Sequence, residues 1–215
     1  MTDANLYTAY HGSDQTKCNV VTALSRNAIT FAQTKTFGIA RHIIAATDAI
    51  GSQLSNHLKS EWPEKVAEAI RPNSQVGLSW WLFAQWMLGK ISQVLPQDSS
   101  EYQFCDEVEV MYDLGCNSTQ AWQKLIARMD EVPVEDKDSA LGAAVAAYKQ
   151  LARTALALTI ASNASIEQLA EDHDDHIVSS LELTCNAILH SGRYPDRSAV
   201  YERMSAKFLH AISKG

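Results

Sequence analysis

Nine glycines and five prolines are few for a chain of 215 residues. A chain built from short strands must reverse every 8–12 residues or so, and each reversal favours these two residue types. Their scarcity therefore points to long helices joined by few connections. The apolar side chains recur at the helical period to match. From Cys18 to Ser60 one long pattern carries Val20, Leu24, Phe31, Ile39, Ile43, Ile50, Leu54 and Leu58, spaced by threes, fours and their sums. Gly38 and Gly51 are the two places where this long N-terminal helix could kink or divide. Its remaining faces are Thr, Ser, Asn, Gln and Ala, with Asp48 as the one acid, which marks a helix that meets protein on more than one side.

Start and stop signals divide the rest of the chain. Trp62-Pro63 opens a short helix, with proline in the first turn where its missing N–H costs nothing. Pro72-Asn73-Ser74 ends it and caps a helix over 75–95, which Pro96 stops. Asp98-Ser99-Ser100 starts an acidic helix that runs to Leu114, and Gly115 closes it. Ser118 or Thr119 caps a helix through Met129. Asp138 or Ser139 opens an alanine-rich helix to about Ala161, whose small side chains let a neighbour approach closely. Ser165 starts a helix to His190, ended by Ser191-Gly192, and Pro195 starts the last one. The expected fold is all-α: an irregular bundle of about eight helices in one domain over 1–215, with 131–138 as the one weak candidate for a boundary.

Composition narrows the function classes. Hydrophobic residues make up 46% of the chain and charged residues 20%, which is globular rather than disordered usage. A net charge of −7 argues against non-specific binding to nucleic acid. The negative charge is concentrated in 98–138, where eleven acids face three bases; from Arg193 onward five bases face Asp196 and Glu202. The most apolar run, Leu78 to Leu88, is too short to span a bilayer and ends at Lys90. The start MTDANLYTAY lacks the basic and apolar regions of a secretory signal, and Cys18, Cys105, Cys116 and Cys185 are widely separated. Reduced thiols and a cytoplasmic location are expected.

The run Glu171-Asp172-His173-Asp174-Asp175-His176 holds the densest set of metal-ligating groups. On a helix, Asp172, His173 and His176 project from one side, with His173 at the centre of the stripe formed by Ile166, Leu169, Ala170, Ile177 and Leu181. An imidazole aimed into a core must bond something. The commoner solution is a neutral ring bonded to a carbonyl or carboxylate; the other is a divalent metal (Zn, Fe or Mn), which would need a further ligand from Glu107, Glu109, Asp113 or His42. Known metal-site patterns fail on inspection. No glutamate stands three residues before a histidine, as di-iron bundles require, and HExxH is absent. His57 and Glu61 have one hemerythrin spacing without its HxxxH partner, and His173-Asp174 lacks the flanking His and Asp of HD phosphohydrolases. Arg203 and His210 fit the loose Arg-x(4–6)-His spacing of HEPN ribonucleases, a match expected about once by chance in a chain with this many arginines and histidines.

The second candidate is the tryptophan-rich helix. Trp80, Phe83 and Met87 share one side and Trp81 and Leu88 cover another, so this helix is either central or shared with a partner. Trp80, Trp81 and Trp86 are its candidate binding residues, because tryptophan dominates binding energy when it lies at an interface. No glycine-rich phosphate loop, nucleophile elbow or zinc-finger spacing occurs. The expected function is that of a non-enzymatic helical protein acting through contact with a protein partner or in a homodimer: an adaptor, an inhibitor or immunity-like protein, or an assembly factor. The alternative is a metal-dependent all-α hydrolase or oxidase centred on Asp172, His173 and His176.

Overall fold

The computed structural model describes residues 41–70, 78–132, 139–163 and 172–214, and these form eight α-helices with no strand among them. They are α1 (Arg41–Gln53), α2 (Asn56–Ala69), α3 (Ser79–Ile91), α4 (Ser100–Asp113), α5 (Thr119–Asp130), α6 (Ala140–Asn163), α7 (Asp172–His190) and α8 (Arg197–Lys214), with one 3-10 turn, Ser92–Val94, after α3. No described helix is long and apolar enough to cross a membrane.

Several boundaries follow from local chemistry. The Ser99 hydroxyl accepts from the Tyr102 amide at 3.1 Å, and the Ser118 hydroxyl accepts from Ala121 at 3.3 Å. Each satisfies a first-turn N–H that has no partner within its helix. Ser139 does the same for Gly142 at 3.0 Å, and Asp196 for Ala199 at 2.9 Å, so α8 begins after Asp196 rather than at Pro195. Gly115 (φ 57°) and Gly192 (φ 69°) take the left-handed conformation that closes α4 and α7.

The single long N-terminal helix is not what the described residues form. Residues 18–40, its first half, lie outside them. The second half ends at Gln53, the chain turns at Leu54-Ser55, and α2 starts at Asn56, well before the expected Trp62-Pro63. The reason is tertiary. Trp62 folds back onto α1, where its indole N–H donates to the Thr47 carbonyl at 2.9 Å and its ring lies over Gly51. A straight helix from Ile43 to Ser60 would carry Trp62 away from that site. Pro63 therefore sits inside α2 rather than in its first turn.

The bundle is organised around α3, which packs on α1, α4, α6, α7 and α8. Trp80, Phe83, Ala84, Met87, Leu88 and Ile91 are all buried, as expected for a helix apolar on most of its surface. Aromatic contacts radiate from it. Phe83 stacks on Trp86, meets Trp80 edge-on, and meets Phe208 of α8, which lies against Trp62 of α2; Trp81 rests on Tyr112 of α4, which meets Trp122 of α5. The most extensive helix pairing is α6 with α7. Thr154 of α6 meets Ser180 of α7 there at 2.8 Å, and both helices bury several small side chains, Ala144, Ala147 and Ala155 on α6 and Thr184 and Ala187 on α7, of the kind that lets backbones approach. Buried residues of all eight helices belong to one core.

Candidate functional site

The α3–α4 hairpin is antiparallel. Trp81 meets Tyr112 with ring centroids 4.9 Å apart at one end, and the Cys105 thiol faces the Leu88 carbonyl at 4.0 Å toward the other. Tyr112 is locked in the core by its hydroxyl, which donates to the Leu151 carbonyl of α6 at 2.9 Å. Burial pushes that phenol well above the ordinary tyrosine range. The inward stripe of α4 is Cys105, Val108 and Tyr112; its outward stripe is Asp106, Glu109, Val110, Asp113 and Leu114, at the i, i+3, i+4, i+7, i+8 spacing of one helix face.

This outward face carries exposed apolar surface. Val110 is 45% exposed and Leu114 78%, while Leu78 at 50% and Leu82 at 41% lie on the outer side of α3. Isolated exposed leucines are ordinary, but these four are grouped at one end of one hairpin. Leu141 and Ile160 are the only other exposed large hydrophobic side chains among the described residues, and both belong to α6.

Three acids, Asp106, Glu109 and Asp113, lie on that face. Glu109 is half-buried beside Gly89 of α3, and its carboxyl is raised above the usual glutamate range, first by burial and then by Asp113 and Asp106. No described cation pairs with any of the three. The contrast with nearby acids is direct. Glu107 holds a two-pronged pair with Arg128 of α5 at 2.7 and 2.9 Å, and that guanidinium also covers the Phe104 ring. Asp130 holds Arg153 of α6 at 2.8 and 3.1 Å, with Lys149 at 3.7 Å. The acid-rich stretch of sequence thus separates into carboxylates that tie α5 to its neighbours and carboxylates that face solvent together.

Of the tryptophans singled out in sequence, Trp80 is wholly enclosed and offers no surface. Trp81 and Trp86 are half-buried, Trp81 on Tyr112 and Trp86 flat against Phe83, on opposite sides of the outer stripe of α3. Leu82, Val110 and Leu114 were not among the binding residues expected from the sequence. A signal for the last two was available, since they fall in register with Asp106, Glu109 and Asp113 rather than with Cys105, Val108 and Tyr112.

The backbone is helical from Asp172, so Asp172, His173 and His176 do share one helix; the side chains of Asp172 and His173, and residues 164–171, lie outside the described residues. His176 is half-buried and faces α6. The Gln150 side-chain nitrogen is 3.0 Å from His176 Nδ1 and 3.4 Å from the His176 carbonyl. The carbonyl requires a donor, which orients the amide with its nitrogen toward the ring. Thr154 completes the cluster, its hydroxyl lying 3.1 Å from the same carbonyl and 2.8 Å from the Ser180 hydroxyl. Of the further ligand candidates, Glu107 is taken by Arg128 and Glu109 and Asp113 lie on the α3–α4 face; His42 is on α1, which packs on α7. No group of three or more His, Cys, Asp or Glu among the described residues is placed to hold a metal. Arg203 and His210 share the exposed face of α8.

Compared with known protein families, with functionally described proteins and with solved structures, the chain matches none.

Proposed function

We propose that this chain is a non-enzymatic helical protein that works by protein contact, as an adaptor, inhibitor or assembly factor, and that the solvent face of the α3–α4 hairpin is its contact surface. One observation carries the reading: Leu78, Leu82, Val110 and Leu114 are exposed at one end of a hairpin whose outer face also carries three carboxylates that no described cation neutralises. Exposing apolar side chains forgoes about 25 cal/mol for each Å² kept in water, and several such side chains at one end of a hairpin point to an interaction site. The same patch deepens the role first assigned to the tryptophans. Trp81 and Trp86 stiffen the helix from its flanks, and the aliphatic side chains between and beside them meet the partner.

A homodimer through this face is less favourable, because a self-complementary contact would set Asp106, Glu109 and Asp113 against their own copies. The partner is therefore a different protein. A photo-activated cross-linking residue placed at Leu82 or at Leu114, in the full chain within its own cells, should give one shared adduct. The same residue at Glu64, on the exposed face of α2, should not. Equal adducts at all three positions, or none at Leu82 and Leu114, would overturn the proposal.

A further inference from the structure

We infer that the partner presents to this surface a basic amphipathic helix, an apolar stripe edged with lysine or arginine. The inference rests on the protein-contact function proposed above and specifies the partner's chemistry. Two features of the face must be matched at once. Leu82 on α3 and Val110 and Leu114 on α4 call for apolar contact, while Asp106, Glu109 and Asp113 run along the same stripe of α4. A purely apolar partner would bury these carboxylates unpaired, at a cost that offsets the apolar gain. An acidic partner adds like charge, and an anionic membrane is repelled for the same reason. A basic helix supplies both complements.

Glu109 sharpens the requirement. Its carboxyl is already half removed from water and lies between two like charges, with Gly89 of α3 contributing no side chain beside it. A cation brought there removes a penalty that the free protein carries. The occupant is a helix rather than a strand because α3 and α4 are both helices whose backbone groups are already paired, so only side chains are on offer, and an amphipathic helix presents its side chains along one stripe.

The test uses the full chain and three labelled synthetic peptides about 18 residues long, enough for a stable helix once bound. One has leucines at helical spacing with lysines flanking them, the second is its scramble, and the third replaces lysine with glutamate. Fluorescence anisotropy should show the basic amphipathic peptide binding, more weakly as salt is raised, and the other two binding far less. Asp106→Lys with Asp113→Lys should weaken binding about tenfold or more. Glu64→Lys with Glu68→Lys changes net charge equally but lies on α2, and it should leave affinity within about twofold of the parent. Leu82→Ser should weaken binding without altering its salt dependence. The three acids and the leucine are on the outer face, and an unchanged unfolding midpoint verifies that each variant folds. Equal loss in both charge-reversal pairs, or equal binding of the scramble, would overturn the inference. So would a chain that leaves every peptide free because its own first forty residues or a second copy already occupy the face. A cross-linked partner whose contacting segment is not basic would overturn this inference while leaving the protein-contact function standing.

Discussion

A β-carbon on Gly51 would stand 2.5 Å from Cδ1 of Trp62 and 2.8 Å from its Nε1. Real side chains do not approach that closely, so the glycine is what lets the indole lie on α1 and donate to the Thr47 carbonyl. The contact also fixes where α1 must end, since Trp62 can return to Gly51 only if the chain reverses near Leu54-Ser55. Trp62 in turn passes the position of α2 to α8 through Phe208 and to α3 through Phe83. Gly51→Ala should therefore destabilise the fold by about 1–3 kcal/mol despite the higher helix propensity of alanine, as overpacking does. Urea unfolding would measure it, and an unchanged or raised midpoint would refute the contact.

How much of this was legible in the sequence differs between residues for one reason, the range of the interaction that decides each. Ser99, Ser118, Gly115 and Gly192 act on their own turns of chain, and the helix ends they set are readable from neighbours alone. The break at Leu54-Ser55 is decided by Trp62 packing on Gly51, residues eleven apart in sequence and joined only in the fold; a periodic pattern running through Leu54 and Leu58 cannot register it. The candidate site divides in the same way. Val110 and Leu114 fall out of register with the buried stripe of α4, which the sequence displays. Leu78 and Leu82 belong to a run apolar on every side, and which leucines lie outside it is settled only when α4, α6, α7 and α8 are in place. For His176, the deciding neighbour is Gln150, twenty-six residues away on another helix.

The thiols provide a second test of the packing. Burial, reinforced by the acids of α4, pushes Cys105 up to about 12, and Cys185 is pushed up to about 11, again mainly by burial. The thiolate is the reactive form, so at neutral pH both should resist alkylation in the folded chain, whereas Cys116 is half-buried beyond the Gly115 turn. Timed alkylation read by mass spectrometry should modify Cys116 well before Cys105 or Cys185. Equal rates for Cys105 and Cys116 would contradict the placement of α4 against α3.

Glu109 should leave a signature in the dependence of stability on pH. Its folded-state pKa is raised, so between its unfolded and folded values the folded chain holds the proton more tightly. Stability from this group is thus present at low pH and lost as pH rises through that window. Glu109→Gln, which cannot ionise, should then raise stability at pH 7 by about 0.5 kcal/mol or less, the site being partly open to solvent. The gain should vanish below about pH 4, where the parent glutamate is protonated. A variant less stable than the parent at pH 7 would show that a cation does pair with Glu109.

The claim that the α3–α4 face is a protein contact surface is tested most directly by carboxyl footprinting of the whole chain, isolated and within its own cells. Amidation of exposed carboxylates, mapped by mass spectrometry, reports which acids a partner covers. In the isolated chain Asp106 and Asp113 should label as readily as Glu64 and Glu68, all four being exposed. In the cell Asp106, Glu109 and Asp113 should each fall severalfold relative to their labelling in the isolated chain, while Glu64 and Glu68 stay unchanged. Labelling of the three α4 acids that is the same in both settings would contradict the account.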